Sequence, residues 1–197
     1  SFSFNLPSNN IKIGTLSDAQ SGLFFGELRY SALLPIPTLA DERRFSEAKY
    51  TFSQAEQNKI PFSNNLGNSG VFNFTNLIPL EMLFKSTTGV FDLNLEKLRV
   101  SYLEIDAIAG SSTVKFAPDF STKTFIKSQA QTITLKIPKQ TEASIKVTSA
   151  FKALNLDQTR FKKLDETFYK TISFDQATVK VEVEIAGSAS NITVEQF

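Results

Sequence analysis

One pair of residues has the spacing of an activated serine nucleophile. Ser46 and Lys49 form the pattern S-x-x-K, in which a helix holds a lysine amine beside a serine hydroxyl. Enzymes that use this pair also carry the partner motifs K-T-G and S-D-N, and this sequence contains neither. We therefore interpret the match as coincidental and predict no serine nucleophile.

The side chains that most often perform catalysis or bind metals are missing. The chain has no histidine and no cysteine, which excludes disulfides, zinc–thiolate sites and cysteine nucleophiles and removes the commonest general base. Five acidic residues lack the spacing of a calcium loop and are expected to be solvated turn carboxylates: Asp106, Asp119, Asp157, Asp165 and Glu166. Two of them, Asp157 and Asp165, are suited to start local turns through their side chains. We expect no enzyme activity, no cofactor and no metal.

Glycoside hydrolysis is the enzymatic alternative that survives these absences. It needs only two carboxylates and no histidine, and extended β-solenoids do host such enzymes. No acidic pair stands out from the pattern of the chain, however, and no tryptophan is present to form a sugar platform. A carbohydrate-active enzyme therefore stays the third and lowest alternative.

Aromatic residues are the more promising candidates for a binding site, because the chain has 19 Phe and 4 Tyr. Most are expected in the core. The candidate partner-binding patch consists of Phe161, Phe168, Tyr169, Phe174, Phe24 and Phe25. The first four lie in or beside a charged insert, 157–170, and could instead pack that insert onto the rest of the fold. Phe24 and Phe25 are adjacent in a predicted strand, so one of the two rings must point away from the local core.

The charge and hydropathy of the chain argue against nucleic acid as a partner and against a membrane span within these residues. The formal net charge is +1 and the lysines are scattered, which argues against nucleic acid, because phosphate binding needs concentrated Lys and Arg. No apolar run is long enough to span a membrane. The sequence begins with Ser1 rather than Met, so we expect a fragment whose upstream part, such as an anchor, was removed.

A repeat of roughly 20 residues organises the second half of the chain. Small residues recur in it, and each is followed by a short alternating apolar run such as FDLNL, STVKF or TITLKIP: Gly89, Gly110, Ala130, Ala150 and, after a longer interval, Gly187. This pattern predicts stacked short strands with aliphatic residues inside and small residues at the corners.

The first half is less regular. Residues 1–10 are predicted to be a partly ordered N-terminal segment, and 23–30 and 71–79 are predicted to be strands. Gly26, inside the strand at 23–30, indicates a bulge or a close backbone approach. Segment 40–58 fits either a helix or a strand, and its Tyr, Thr and Phe content favours the strand. The insert 157–170 could be a hairpin or a helix. We expect 1–88 and this insert to cap the two ends of the stack.

Three stretches, 91–118, 132–147 and 169–194, resemble the toast-rack domain of bacterial envelope proteins. In the first of them, FDLNLEKLRVSYLEIDAIAG is similar to the family pattern L-D-L-S-x-L-x-V-x-x-L-x-I-D-x-G-A-G. The family includes the C-terminal domains of LiaF-type cell-wall stress regulators and a group of adhesins. The resemblance implies an all-β, solenoid-like domain, with 1–88 as its N-terminal part and 89–197 as its repeat core in one continuous unit.

The resemblance, rather than any residue chemistry, implies the function. It points to a non-catalytic protein-binding or scaffolding domain of a membrane-tethered envelope stress or signalling protein. Its partners would be proteins, such as a membrane sensor or a second copy. Contact with the membrane would occur only through a segment absent from this chain. A surface adhesin that binds extracellular or cell-wall ligands through flat strand faces is the second alternative.

Overall fold

The chain folds almost entirely into β-strands. The computed structural model describes residues 1–17, 20–32, 34–44, 46–55 and 67–197, with the backbone alone at 149–152 and 188–190. The strands are β1 (Phe2–Asn5), β2 (Ser8–Thr15), β3 (Phe24–Arg29), β4 (Thr38–Arg44), β5 (Glu47–Ser53), β6 (Asn68–Phe74), β7 (Leu80–Asn94), β8 (Val100–Lys115), β9 (Thr122–Ile137), β10 (Glu142–Asn155), β11 (Phe161–Lys163), β12 (Phe168–Thr171) and β13 (Lys180–Gln196). A short 3-10 helix occupies Phe174–Gln176. The predicted all-β, solenoid-like fold is confirmed.

Five long parallel strands form the centre of the sheet, in the order β7, β8, β9, β13, β10. The N-terminal half of β7 pairs with β1 and its C-terminal half pairs with β2. Two arms therefore diverge from the middle of these strands. The first arm contains residues 80–86 of β7 and their neighbours, and the second arm contains residues 89–94 and their neighbours.

Each long strand turns where the two arms meet. In β7, Ser86 and Gly89 are buried while the two residues between them are exposed, so the alternation of inward and outward side chains shifts by one residue. The same order recurs at 128–131 of β9. The strands thus contain 14 to 17 residues and are longer than the short strands predicted from the repeat, because the chain bends at the small residues without leaving the sheet.

Two corner glycines are dictated by space as well as by backbone conformation. Gly110 has a φ of +123°, and a Cβ there would lie 1.9 Å from the carbonyl oxygen of Gly89. Gly187 has a φ of +156°, and a Cβ there would lie 1.7 Å from the carbonyl oxygen of Ser128. The predicted role of small residues at the corners is confirmed at these positions. At Ala130 the corner pairs with Ala189 instead of a glycine, and the side chain of Ala150 lies outside the described part.

The N-terminal residues are central rather than peripheral, so the expectation of a partly ordered entry over 1–10 is wrong. Strand β1 lies between β5 and β7, parallel to both, and places Phe2 and Phe4 in the core. The alternation S-F-S-F carries this signal, but four residues are too few to distinguish a buried strand from a tail. Strand β3 runs in unbroken register beside β6, so no bulge occurs at Gly26. The glycine instead leaves room for the ring of Phe72, whose Cδ1 would lie 2.1 Å from a Cβ.

Hairpins close the two ends of the first arm. The insert caps one end as predicted, but 1–88 does not act as a cap as a whole, because residues 80–88 belong to β7 and only the β4–β5 hairpin lies at the other end. Strands β4 and β5 form one hairpin at the outer side of β1, which confirms the strand interpretation of 40–58 for its described residues; 56–58 lie outside them. Strands β11 and β12 form the other hairpin, against β10, so the insert is a hairpin rather than a helix. The strand predicted at 71–79 begins and ends earlier, at Asn68 and Phe74.

A single hydrophobic core runs through both arms. Strand β7 runs without a break through residues 88 and 89, where the sequence predicts the boundary between the N-terminal part, 1–88, and the repeat core, 89–197. That division of the chain stays a prediction. The part of the chain described by the structure contains no helix capable of crossing a membrane.

Candidate functional site

The structure places the four predicted aromatic residues of the insert around the β11–β12 hairpin. Phe161 is buried with an exposed fraction of 2%, and Arg160 lies over its ring at 5.5 Å. Phe168, Tyr169 and Phe174 are half-buried. Tyr169 packs against the core from β12, so packing of the insert explains at least two of these rings.

The other two predicted residues point in opposite directions, as expected for neighbours in a strand. Phe24 is half-buried and contacts Phe2 edge-on at 5.1 Å, while Phe25 has an exposed fraction of 61%. Strand β3 is the last strand of the second arm, whereas the insert hairpin closes the opposite end of the first arm. The six aromatic residues therefore do not form one surface, and partner binding by either group stays a prediction.

The described residues bring together no cluster of side chains suited to a metal ion. No group of three or more carboxylates there could hold a metal ion. Ser46 directly precedes β5 and Lys49 lies in that strand, where the S-x-x-K pairing of a helix cannot form.

The two turn-forming aspartates behave as predicted. Asp157 accepts hydrogen bonds from the Oγ1 of Thr159 at 2.6 Å and from its backbone N–H at 2.9 Å. Asp165 accepts the equivalent pair from Thr167, at 2.7 Å from the backbone and 2.9 Å from the hydroxyl. These hydrogen bonds favour the ionised carboxylate and lower the pKa of both aspartates. Both groups thus serve the structure of the hairpin.

The outward face of the first arm carries mixed charges. In the row that crosses its centre, Glu104 and Glu184 stand on either side of Phe125. Glu104 accepts a hydrogen bond from the Tyr102 hydroxyl at 2.9 Å, and Glu184 forms an ion pair with Lys146 at 3.5 Å. Partial burial and then this hydrogen bond raise the pKa of Tyr102. Both carboxylates lie on the outward side of the sheet, and each is engaged by a neighbour.

A shallow groove of about 300 Å³ crosses the strands just before the bend. One wall is a row of alternating charges on β7, β8 and β9, formed by Lys85, Asp106 and Lys127 in direct register. The opposite wall is formed by Thr87, Ile108 and Gln129. Two lysines and one aspartate leave this wall with a net charge of +1, so the groove is weakly cationic.

The outward face of the second arm is chemically different. Three neighbouring strands each present two short polar side chains, two positions apart, and together they form what we call the hydroxyl grid: Ser111 and Thr113 on β8, Thr132 and Thr134 on β9, and Asn191 and Thr193 on β13. The strands are in register, so Thr113, Thr134 and Thr193 form one row and the other three residues form a second. All six are partly or fully exposed.

Two lysines that border the grid on one side are paired locally, while Asp92 of β7 lies in register beside Thr113 on another side. Lys115 forms an ion pair with Glu96 at 2.5 Å and lies 4.4 Å from the ring centre of Phe197. Lys136 forms an ion pair with Glu195 at 3.6 Å. The grid therefore borders on paired charges along this side and can exchange hydrogen bonds with a ligand without a strong local field.

The grid was not predicted from the sequence. Its signal is the recurrence of S-S-T, T-I-T and N-I-T, in which the middle residue is buried and the outer two are polar. Threonine is also common in strands for its shape alone, so each triplet by itself carries little information. Only the register shows that the three triplets are adjacent.

Comparison with known proteins agrees with this architecture. No curated protein matches the chain. A crystal structure of "a putative cell adhesion protein" from Clostridium sporogenes matches with a TM-score of 0.86 and 21% identity, covering 100% of this chain and 92% of that one. The family model described as the N-terminal domain of toast_rack (DUF2154) matches residues 10–129, which is more than half of the chain. The chain therefore belongs to the toast-rack family.

Proposed function

We propose that this chain is a non-catalytic adhesive domain of the bacterial cell envelope, which binds an extracellular or cell-wall ligand through its outward strand faces. The observation that carries the proposal is the breadth of these faces, because five long parallel strands lie side by side at the centre of the sheet. Large flat surfaces suit extended ligands better than small molecules, which bind in deep and mostly apolar pockets.

The chemistry of the described residues supports binding rather than catalysis. The paired carboxylates of the first arm are held by Tyr102 and Lys146, and the turn aspartates are held by their own loops. The toast-rack family and the cell-adhesion description of the Clostridium sporogenes protein agree with an adhesive role. The domain would reach the membrane through a segment outside this chain.

A protein scaffold of a stress or signalling system is the second candidate. The hairpin end favours it, because Leu164 and Ile172 are exposed at the two ends of the β11–β12 hairpin, and the exposed fraction of Ile172 reaches 67%. Such apolar side chains at the end of a sheet suit a protein partner.

Cosedimentation with bacterial envelopes tests the adhesive function. The purified chain is mixed with isolated cell walls, before and after removal of their proteins, and the bound fraction is measured. The adhesive function predicts binding that persists on protein-free walls. Binding that disappears with the wall proteins, and that falls in a Leu164→Ser/Ile172→Ser double variant, would favour the scaffold instead.

Protease shaving of intact cells that carry the full-length protein supplies the second readout. Digestion of this domain without lysis is expected for an adhesin that faces outward. Protection until the cells are lysed would contradict the adhesive function and support a scaffold on the inner side.

A further inference from the structure

We propose that the hydroxyl grid binds an extended, uncharged polysaccharide of the β-1,4-linked type, lying across strands β8, β9 and β13. The inference rests on the proposed adhesive function and names the ligand and the face that it would use.

The spacing of the grid residues suits an extended sugar chain. The three strands pair without a register shift from Gly110 to Lys115 on β8 and along the matching residues of β9 and β13. Neighbouring strands are about 4.8 Å apart, and alternate residues along a strand are about 7 Å apart. The grid therefore repeats at close to the advance of one sugar along an extended β-1,4-linked chain, so successive sugars can meet equivalent side chains.

Strand propensity alone does not explain the composition of the grid. The same three strands have nine outward positions in the first arm, and six of these are charged: Glu104, Asp106, Lys123, Lys127, Glu182 and Glu184. Of the nine matching outward positions in the second arm, only three are charged, Lys115, Lys136 and Glu195, and the other six form the grid. Since both arms belong to one sheet and meet the same solvent, the sequence distinguishes the two faces.

The side chains of the grid favour a ligand rich in hydroxyl groups. Threonine and serine hydroxyls and the asparagine amide both donate and accept hydrogen bonds, as sugar hydroxyls do. A charged polymer would gain little here, because Lys115 and Lys136 are already paired with Glu96 and Glu195. None of the six grid positions is aromatic, so the contact would depend on many weak hydrogen bonds. Such contacts become useful only along a repeating chain or an insoluble surface, where they act together.

The test replaces one row of hydroxyls by methyl groups. The variant Thr113→Val/Thr134→Val/Thr193→Val keeps the β-branched shape and the strand propensity of each position and removes only its hydrogen-bonding group. Thr51→Val is the matched control, because Thr51 is a half-buried outward residue of β5 in the first arm. Circular dichroism and a denaturation curve establish that both variants fold like the wild type.

Retention on insoluble chitin and on microcrystalline cellulose is measured as a binding isotherm, with carboxymethyl cellulose as the charged competitor. We expect the wild type and Thr51→Val to bind at least one of the two neutral polymers and the triple variant to bind at least about tenfold more weakly. Carboxymethyl cellulose should compete poorly.

Two results would overturn the inference. One is a triple variant that binds like the wild type, and the other is a wild type that ignores both neutral polymers. If protein-free walls still retain the wild type in that second case, the adhesive function stands and only the ligand assignment fails. Inhibition of ice recrystallisation by the wild type alone, without retention on either polymer, would assign the grid to ordered water and overturn the polysaccharide.

Discussion

The two ends of the core are filled with different side chains. Around β1, β5 and β6 the interior is aromatic: Phe4 stacks between Phe52 and Phe84, at 4.9 and 5.1 Å with nearly parallel rings, and meets Phe72 edge-on at 4.9 Å. Around β9, β10 and β13 the interior is mainly aliphatic, as at Ile133 and Ile185. One sheet therefore contains an aromatic end and an aliphatic stack.

The difference in core composition follows from the lengths of the strands at the two ends of the sheet. In the aliphatic stack each rung is one long strand, and identical spacing lets Val, Ile and Leu of similar size lie above one another. At the aromatic end the two arms are continued by separate short strands, β1 and β5 in one arm and β2, β6 and β3 in the other. Large rings can fill the less regular space between them, and stacking adds to the area that each ring buries.

The largest predicted effect concerns the corner of the stack. Gly110→Ala would force a Cβ to within 1.9 Å of the Gly89 carbonyl oxygen, at a φ of +123°. Because the obstacle is backbone, relief requires neighbouring strands to separate. We expect the free energy of unfolding to fall by about 4 kcal/mol or more, measured by urea denaturation.

Gly22→Ala is the matched control for this substitution. Gly22 has nearly the same φ, +125°, but no atom lies within 4 Å of the position that a Cβ would occupy there. The variant should lose only the cost of backbone strain, about 1–2 kcal/mol. Equal losses in the two variants would mean that conformation, rather than the closeness of the rungs, dictates the corner glycines.

The second effect compares the two kinds of core directly. Phe4→Leu removes a ring that contacts three others, while Phe116→Leu removes a fully buried ring without an aromatic neighbour among the described residues. Both variants lose buried area, but only the first also loses aromatic pairs, each of which contributes about 0.5–1.5 kcal/mol.

Phe4→Leu should therefore destabilise the chain by about 1–3 kcal/mol more than Phe116→Leu, in the same denaturation assay. A difference near zero would show that the aromatic end is held by area alone and that its rings could be exchanged for aliphatic side chains.

The same contrast explains how much the sequence could predict. In the stack, local alternation and the recurrence of small residues carry the same information as the fold, so the strands and the corners at Gly110 and Gly187 were predictable, whereas the insert fitted a hairpin and a helix equally. At the aromatic end, β1 and β6 owe their positions to partners that are distant in sequence, such as the pairing of Phe4 with Phe52 and Phe84. A short run of alternating residues cannot indicate such partners.

The hydroxyl grid was hidden for a related reason. Each triplet is an ordinary strand sequence, and the grid exists only because Thr113, Thr134 and Thr193 align across three strands. Register between strands more than 20 residues apart depends on the bends, whose location within continuous strands the repeat did not show. The aromatic residues, by contrast, were conspicuous in the sequence but are divided between the two ends of the molecule.

The smallest predicted effect concerns the two end caps. At the hairpin of the stack, the backbone and side-chain hydrogen bonds from Thr167 lower the pKa of Asp165 below its ordinary value of 3.8. A lowered pKa in the folded state means that the ionised group stabilises the hairpin above the ordinary pKa, and that this contribution is lost as the pH falls through the lowered value. The hydrogen bond from the backbone amide of Thr167 should therefore weaken as the pH falls through the lowered pKa of Asp165, while the core stays folded.

An NMR titration of the Thr167 amide shift checks this loss, with Asp165→Asn as the control. Asparagine still accepts the two hydrogen bonds but does not titrate, so the shift in that variant should stay nearly constant over the same pH range. The β4–β5 hairpin at the aromatic end carries its ion pair, Arg43 with Asp41 at 3.2 Å, on exposed side chains and has no such turn among its described residues. Its amides should respond less than Thr167. An equal response at both hairpins would show that acid acts through net charge rather than through the Asp165 turn.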